Sequence, residues 1–483
     1  MIVMLNLGLV FEHTRYFMLR SYETTMKAKT YLIAIFFTIL FSIWGLAGCT
    51  NNPGDQLQAM IAAYKLTPIE PAPYQEPALI SLGQMLYFDK VLSGNRDISC
   101  ATCHHPLENS ADNLALSIGT GGFGLGKNRQ PGRDRPFIPR NAPDIFNRGF
   151  SEWQTMFWDS RVAIAADGSF ISPASANLPY DLNNLLAVQA MFPVTSDSEM
   201  RGVLGDEDVW GEANELAHID SNDLPEIWST IMRRLLHYPE YAMMFAAAYP
   251  DVPLEQLGFE HAANAIAAFE IYAFTMPDSP WDRYLRGDKS ALTELAKQGA
   301  VLFYGKAGCV RCHSGTLFTD QQHHNLAVPQ IGPGKGASAP LDYGLMLLTG
   351  NEADKFAFRT PPLRNVTVTS PWMHNGAFNS LEAVIAHHLD PRTSLYNYDP
   401  QIHLRAELRP SFQNSPAIFE ELLADTDQKL QLAKPLSAED IEALMAFLDA
   451  LTDPRVNDLY RLVPHSVPSG LPVLENLIVS PTG

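Results

Sequence analysis

The sequence predicts a mainly α-helical protein built twice on one plan, and three observations carry that prediction. Two Cys-x-x-Cys-His motifs, Cys100–His104 and Cys309–His313, stand in opposite halves of the 483-residue chain. Each is preceded by an apolar-periodic stretch of the same design, Gly83-Gln-Met-Leu86-Tyr87-Phe88 ahead of the first and Gly299-Ala-Val-Leu302-Phe303-Tyr304 ahead of the second. Each half then supplies a further helix-patterned stretch. Apolar residues three to four apart share one helical face, so these segments read as amphipathic or core helices.

Taken in order, the leading helix of each half carries a Gly, which lacks a Cβ and allows a close helix crossing. The returning helix of the first half spans Ala262 to Phe274, with Ile266, Phe269, Ile271 and Phe274 apolar. In the second half Ser437 can N-cap a helix with Ile441, Leu444, Leu448 and Leu451 on one face. Met276 to Lys289, rich in Pro, Asp and Gly, is the natural linker.

Between each helix pair lies the motif that carries chemistry. Cys100, Cys103 and His104, and again Cys309, Cys312 and His313, have the spacing of haem c attachment sites. Two thiols on one helical turn can reach the two vinyl groups of one porphyrin, and the next residue points an imidazole at the iron. Disulfide pairing or structural zinc would also accept four Cys, but neither explains why both pairs end in His. Helix, haem loop, helix, twice, gives two cytochrome-c-like haem domains with long loops and a haem-organised core. The expected boundaries are 79–280 and 281–483, with 49–78 as an N-terminal tether and helix.

The N-terminus reads as an address. Lys27 and Lys29 precede an apolar run from Tyr31 to Gly48, ending in Leu46-Ala47-Gly48-Cys49. A basic segment, an apolar segment and small residues before a cleavage point make a secretory signal. The run could also serve as a membrane anchor, but its ending resembles a bacterial lipobox. Residues 1–48 are therefore expected to be a lipoprotein signal peptide whose true start is Met26, with Cys49 lipidated. The expected location is the periplasmic face of a membrane, the outer membrane being favoured. The balance of 34 Lys+Arg against 53 Asp+Glu argues against nucleic acid and for partners that are basic or neutral where they dock.

The chain resembles the bacterial di-haem cytochrome c peroxidase family, which includes the MauG-type enzymes. The resemblance runs from about Leu79 to Pro472. It is carried by Leu86-Tyr-Phe-Asp-Lys-Val-Leu-Ser93, Arg140-Asn-Ala-Pro143, Phe157-Trp-Asp-Ser-Arg161, Pro362-Leu-Arg-Asn365 and His374-Asn-Gly-Ala-Phe378, in that order. It implies a peroxidatic first haem and an electron-transfer second haem. The matching residues are Gln189 and Glu199, ten apart with Pro193 between, over the first haem; Trp158 would relay electrons between haems. Glu199 would act as general base and then acid for peroxide. The resemblance also implies a calcium ion held through oxygen atoms at Asn141, Thr369 and Pro371, and it allows a homodimer. About twenty residues between Trp158 and Gln189 are extra, and a loop near the haem entrance or a partner surface is expected there.

Two departures matter. Sixteen residues after His104, where other members place an iron-blocking His, this chain has Thr120 in Ser117-Ile-Gly119-Thr120. The first haem is therefore expected to be open, with Met191 and His105 as weaker substitutes for the lost ligand. Fourteen residues after His374, where other members have Met or Tyr, stands His388, with His387 as its competitor. His388 would make a bis-His second haem of lower potential than a Met/His one. His323 and His324 are expected to order a loop or contact solvent rather than bind a metal.

The leading functional reading is a peroxidase that reduces hydrogen peroxide to water with electrons from a small cytochrome c or cupredoxin. The alternatives are a MauG-type oxidase acting on aromatic side chains of a partner protein and a non-catalytic di-haem electron-transfer cytochrome.

Overall fold

The structure is a computed structural model and describes residues 52–430 and 435–474. The expected signal segment, with Met26 and Cys49, lies outside the described residues. Among the described residues no helix is long and apolar enough to cross a membrane.

In chain order the helices that position the site are α1 (Pro77–Phe88), α2 (Leu185–Ala190), α3 (Leu224–Leu236), α4 (Phe259–Phe274), α5 (Pro280–Leu285), α6 (Glu294–Tyr304), α7 (Leu381–Leu389) and α8 (Ala438–Asp449). The predicted repeat is realised as two helix crossings. α1 lies on α4 so closely that a Cβ at Gly83 would sit 1.8 Å from the Ala265 carbonyl oxygen and 2.9 Å from Cβ of Phe269. α6 lies on α8 in the same way, with 1.8 Å from Gly299 to the Ala443 oxygen and 2.8 Å to Cβ of Phe447. Only glycine permits backbone-to-backbone approach of that kind.

Local chemistry starts these helices where the sequence suggests. Ser437 caps α8 by accepting a hydrogen bond from Asp440 N at 3.2 Å, and Thr293 caps α6 through Ala296 N at 3.1 Å. α4 begins three residues earlier than its apolar pattern, at Phe259, and only Tyr272 on it is exposed. A helix apolar on nearly every side belongs in a core. It is surrounded by α1, α2 and α3 in the largest hydrophobic cluster, which includes Leu82, Leu86, Val188 and Ile231. In the second half, Trp281, Phe303, Tyr304, Phe318 and Phe447 form an aromatic cluster with ring centroids 5.2–6.5 Å apart.

Two stretches differ from expectation. Met276 to Lys289 connects the halves but is no slack linker, because it contains α5. Ser279 and Asp282 form a capping box there, Trp281 and Tyr284 are buried, and Asp282 holds Arg364 at 2.7 and 3.0 Å. Pro and Asp in this segment mark a helix start rather than a loop. The stretch from Trp158 to Gln189 is also more ordered than a loop. β1 (Thr155–Met156), β2 (Val162–Ile164) and β3 (Phe170–Ile171) form an antiparallel meander, with Ala163 opposite both Thr155 and Ile171. A second small sheet pairs β4 (His323–Asn325) with β5 (Ala357–Arg359), His323 facing Arg359.

Candidate functional site

In the first half the motif sits on a single turn, Cys100–Cys103, opened by Ser99, whose amide donates to Thr102 Oγ1 at 3.0 Å. The two cysteines are unpaired and half-buried, and burial pushes the Cys100 thiol up to about 12. Thiols kept neutral and apart in a core are poorly placed for a disulfide and well placed for thioether bonds. His104 turns Nδ1 toward the Ser110 carbonyl at 3.4 Å, and burial pulls its pKa down to about 4. Its ring is therefore neutral at ordinary pH, with Nε2 turned the other way, as an iron ligand requires. Tyr87 donates its hydroxyl to the His104 carbonyl. His105 points into the core, its Nδ1 accepting from Leu107 N at 3.0 Å and its ring edge-on to Phe88.

Glu199 lies in a single wide turn, Asp197–Arg201, pinned by Arg201, which binds the Ile219 carbonyl at 2.7 Å. The Ser117–Thr120 run packs directly on this turn. Thr120 N donates to the Glu199 carbonyl at 2.9 Å, and a Cβ on Gly119 would strike the Ser198 carbonyl at 1.7 Å. The Thr120 hydroxyl binds Asp97 at 2.8 Å, so this side chain is committed elsewhere. Burial raises the Glu199 carboxyl above its ordinary pKa, with Arg161 and Lys335 opposing. Glu199 is near enough to Cys103 for its charge to add to the rise of that thiol's pKa, most of which comes from burial. Gln189 ends α2 and is half-buried. Met191 is fully buried, and its carbonyl accepts from the Trp228 indole at 2.8 Å.

In the second half a largely apolar cavity of about 220 Å³ opens among Cys309, Cys312, His313, His388, Trp158 and His374. Cys309 and Cys312 are again unpaired, and burial pushes Cys309 up to about 12. His313 directs Nδ1 to the Phe318 carbonyl at 3.1 Å. Burial, and then the facing His388 ring, bring His313 down to about 4. His388 places Nδ1 on the Val384 carbonyl at 2.8 Å and lines the cavity. His387, its neighbour on α7, is fully buried with Nδ1 on Ser394 Oγ at 3.0 Å and Nε2 on the Leu326 carbonyl at 2.8 Å. With both ring nitrogens used, His387 has none left for a metal.

Trp158 forms a wall of this cavity and is held by a reciprocal clamp. Its indole N–H donates to the Asn141 carbonyl at 2.9 Å, and its own carbonyl accepts from Arg359 N at 2.9 Å. The residue beside each partner completes the clamp. Arg140 binds Asp159 at 2.5 Å and grips Asp342 of the second half at 2.7 and 2.9 Å. Burial would raise the Asp159 carboxyl, but Arg161 and Arg140 outweigh it and hold it below its usual range. Sequence reading singled out Trp158 and missed this clamp, although Arg140 and Asp159 stand next to residues it named.

His374 was also read only as a landmark. It is buried, stacks on Phe358 with ring centroids 3.5 Å apart, and has a buried Nε2 without a partner. An orphaned polar atom in an apolar cavity asks for a polar group on whatever fills it. Thiols, imidazoles, apolar lining and this orphan together suit a haem c in the second cavity; Cys100, Cys103 and His104 are the matching donor set in the first half. His324 orders its loop as expected: Asp427 at 2.5 Å and Asp320 at 3.1 Å clasp it, and despite burial their charge lifts it to about 10. Asn141, Thr369 and Pro371 all line the second cavity.

A mainly helical chain with two such donor sets is a two-site c-type haem protein. The family model for di-haem cytochrome c peroxidase matches residues 77–290. The methylamine utilization protein MauG of Methylorubrum extorquens is 31% identical over 351 residues, 71% of this chain and 79% of that protein. Cytochrome c551 peroxidase of Pseudomonas aeruginosa is 28% identical over 385 residues, 80% of this chain and 82% of its own. Among solved structures, a MauG-like protein associated with microbial copper homeostasis aligns with TM-score 0.54 and 25% identity, over 80% of this chain and 94% of that one. The chain belongs to the di-haem cytochrome c peroxidase and MauG family. Membership makes it an oxidoreductase whose cofactors are two haem c groups.

Proposed function

We propose that the protein reduces hydrogen peroxide to water at its first haem site, with electrons delivered by a small cytochrome c or cupredoxin through the second. The observation that supports this most is the inequality of the two sites. The second has His313 and His388 lining one cavity, whereas the first has the half-buried Glu199 near Cys103 and commits Thr120 to Asp97. Haem c held by Cys100, Cys103 and His104, and by Cys309, Cys312, His313 and His388, supplies the redox-active iron. The protein's own part is proton handling and electron placement. A Glu199 oxygen takes the proton from the near oxygen of peroxide and returns it to the far one, so that water can leave. Gln189 orients the peroxide, and Trp158 carries electrons between the halves, 79–280 and 281–483.

The remaining assignments belong to the same reading. Asn141, Thr369 and Pro371 offer oxygen atoms to a calcium ion. Cys49 carries the lipid that holds the exported protein at the periplasmic face of a membrane.

A second reading, MauG-type oxidation of a partner protein's aromatic side chains, is favoured by the Thr120 departure and by the resemblance to MauG. One experiment separates the two. Peroxide is added to the diferric protein and the haem spectrum followed, with and without reduced donor cytochrome. Rapid donor oxidation, slowed about 10²- to 10⁴-fold in Glu199→Gln, supports the peroxidase. A long-lived oxidised state that donor does not quench supports the MauG-type reading. A spectrum that ignores peroxide refutes both.

A further inference from the structure

Beside the second cavity, oxidisable rings form a ladder toward the surface. Phe318, whose carbonyl holds His313, lies 6.5 Å from the Trp281 ring. Trp281 is 1% exposed and stacks on Tyr304, with centroids 6.1 Å apart and 23° between planes. Tyr304, itself buried, lies 5.3 Å from Tyr64, whose hydroxyl donates to the Tyr304 carbonyl at 3.0 Å. Tyr64 is 47% exposed. Trp and Tyr are the side chains that most readily give up one electron, and rings in near contact pass it in short steps.

The ladder also has a branch, and charge distinguishes the two arms. Trp281 stacks on Tyr284 at 6.3 Å and 13°. Over the Tyr284 ring stand the ammonium groups of Lys289, at 4.5 Å, and Lys297, at 5.8 Å. Cations are drawn to the electron-rich ring face, so they oppose removal of an electron from it. Among the described residues no ammonium group stands over the Tyr304 ring, the nearest cation on this arm being the Arg364 guanidinium 5.7 Å over Phe318, and the arm ends at the exposed Tyr64.

We propose that Tyr64 is a surface oxidation site, supplied through Trp281 and Tyr304 with oxidising equivalents that no donor has quenched. The inference rests on the peroxide reading given above. Hydrogen peroxide is the oxidant. One electron leaves Tyr64 and passes by way of Tyr304 and Trp281 to the second haem site, which is reduced by one. The Tyr64 O–H bond breaks, its proton goes to water, and a neutral phenoxyl remains. Tyr304 is buried away from the water that can take a proton at Tyr64, so it relays rather than stores. Two phenoxyls on separate molecules then join through one carbon–carbon bond ortho to each oxygen; the C–H bond at each joined carbon breaks and a proton returns to each phenol oxygen, giving a covalent dityrosine dimer.

The test treats the holoprotein with peroxide in the absence of donor, then reads covalent dimer on denaturing gels and maps modified peptides by mass spectrometry. Tyr64 is expected to carry the cross-link, and reduced donor cytochrome is expected to suppress it. Trp281→Phe and Tyr304→Phe should each lower the Tyr64 product several-fold, while Tyr284→Phe leaves it at the wild-type level. Tyr180, 97% exposed and off the ladder, is the control for unspecific oxidation. Equal modification of Tyr64 and Tyr180 overturns the proposal. So does a wild-type yield in Tyr304→Phe with an unchanged haem spectrum, a variant that keeps the ring and serves should Trp281→Phe fail to fold. A haem spectrum that ignores peroxide refutes the peroxidase reading itself, whereas a responsive spectrum with Tyr64 untouched refutes this inference alone.

Discussion

Replacing Gly299 with Ala should destabilise the protein, although helix propensity alone favours the change by about 1 kcal/mol. The new methyl would sit 1.8 Å from the Ala443 carbonyl oxygen and 2.6 Å from its carbon. Unstrained carbon contacts need about 3.5 Å, so α6 and α8 must part by more than 1 Å. The obstacle is backbone and cannot rotate aside. Overpacking of this kind costs about 1–3 kcal/mol, and separation also loosens Phe303, Tyr304 and Phe447, which meet across the seam. A net loss of about 2 kcal/mol follows, or roughly 4–8 °C in Tm by the scaling for domains of this size. The assay is thermal unfolding of the holoprotein, followed by circular dichroism beside the second-haem spectrum, because Phe303, Leu444 and Leu448 of these helices line the cavity. An unchanged or raised Tm would refute the claim that glycine is needed at this crossing.

Three further outcomes test separate parts of the site. Arg140→Met leaves Asp342 buried without its cation and Asp159 with only Arg161, so denaturant unfolding should show a loss of about 3–5 kcal/mol; a loss under about 1 kcal/mol would mean that solvent already screens the clamp. His388→Ala should abolish the six-coordinate low-spin spectrum that His313 and His388 ligation would give the second haem, whereas His387→Ala should lower stability and leave that spectrum intact; the reverse pattern would exchange their roles. Glu270, buried on α4, is pushed up to about 8 by burial, with only Arg148 opposing. Its folded pKa lies above its unfolded one, so the folded state binds the extra proton and stability falls as pH rises from about 4.5 to 8. Glu270→Gln should flatten that decline in Tm measured at pH 5 and pH 8, and an equally steep decline in the variant would acquit this carboxyl.

What was legible in the sequence was whatever depends on neighbours in the chain. The two motifs, the helix before each and the Ser437 cap are local, and glycine at the crossing could be anticipated because only one residue type lacks a Cβ. His388 could be preferred over His387 by counting alone, and the structure adds a physical ground, since Leu326 and Ser394 occupy both nitrogens of the neighbour. Residues linked across long sequence distances were not legible. Asp342 reaches Arg140 across 202 positions and Arg364 reaches Asp282 across 82, and neither pair has a local signature. The stretch around Trp281 misled for a related reason. Pro and Asp are as common at helix starts as in loops, and a buried partner, Arg364, decides between them.

The duplicated plan bears on how the two sites came to differ. The helix crossings match closely, down to the 1.8 Å approach at Gly83 and at Gly299, so the halves share one scaffold for holding a haem loop. Differences enter through segments outside the crossing. The first half adds the Ser117–Thr120 run, which fastens to the Glu199 turn through a single backbone hydrogen bond and places a carboxyl beside its motif. The second half adds α7, whose last turn brings His388 opposite His313. Neither addition belongs to the Gly-bearing helix of its half. Joining the two is the work of the Trp158 clamp, in which Arg140 and Asp159 come from the first half and Asp342 and Arg359 from the second. A buried arginine satisfied from both halves fixes the indole only while the halves are docked. Communication between the sites should therefore fail when Arg140 is removed, even where both haems remain attached and correctly ligated.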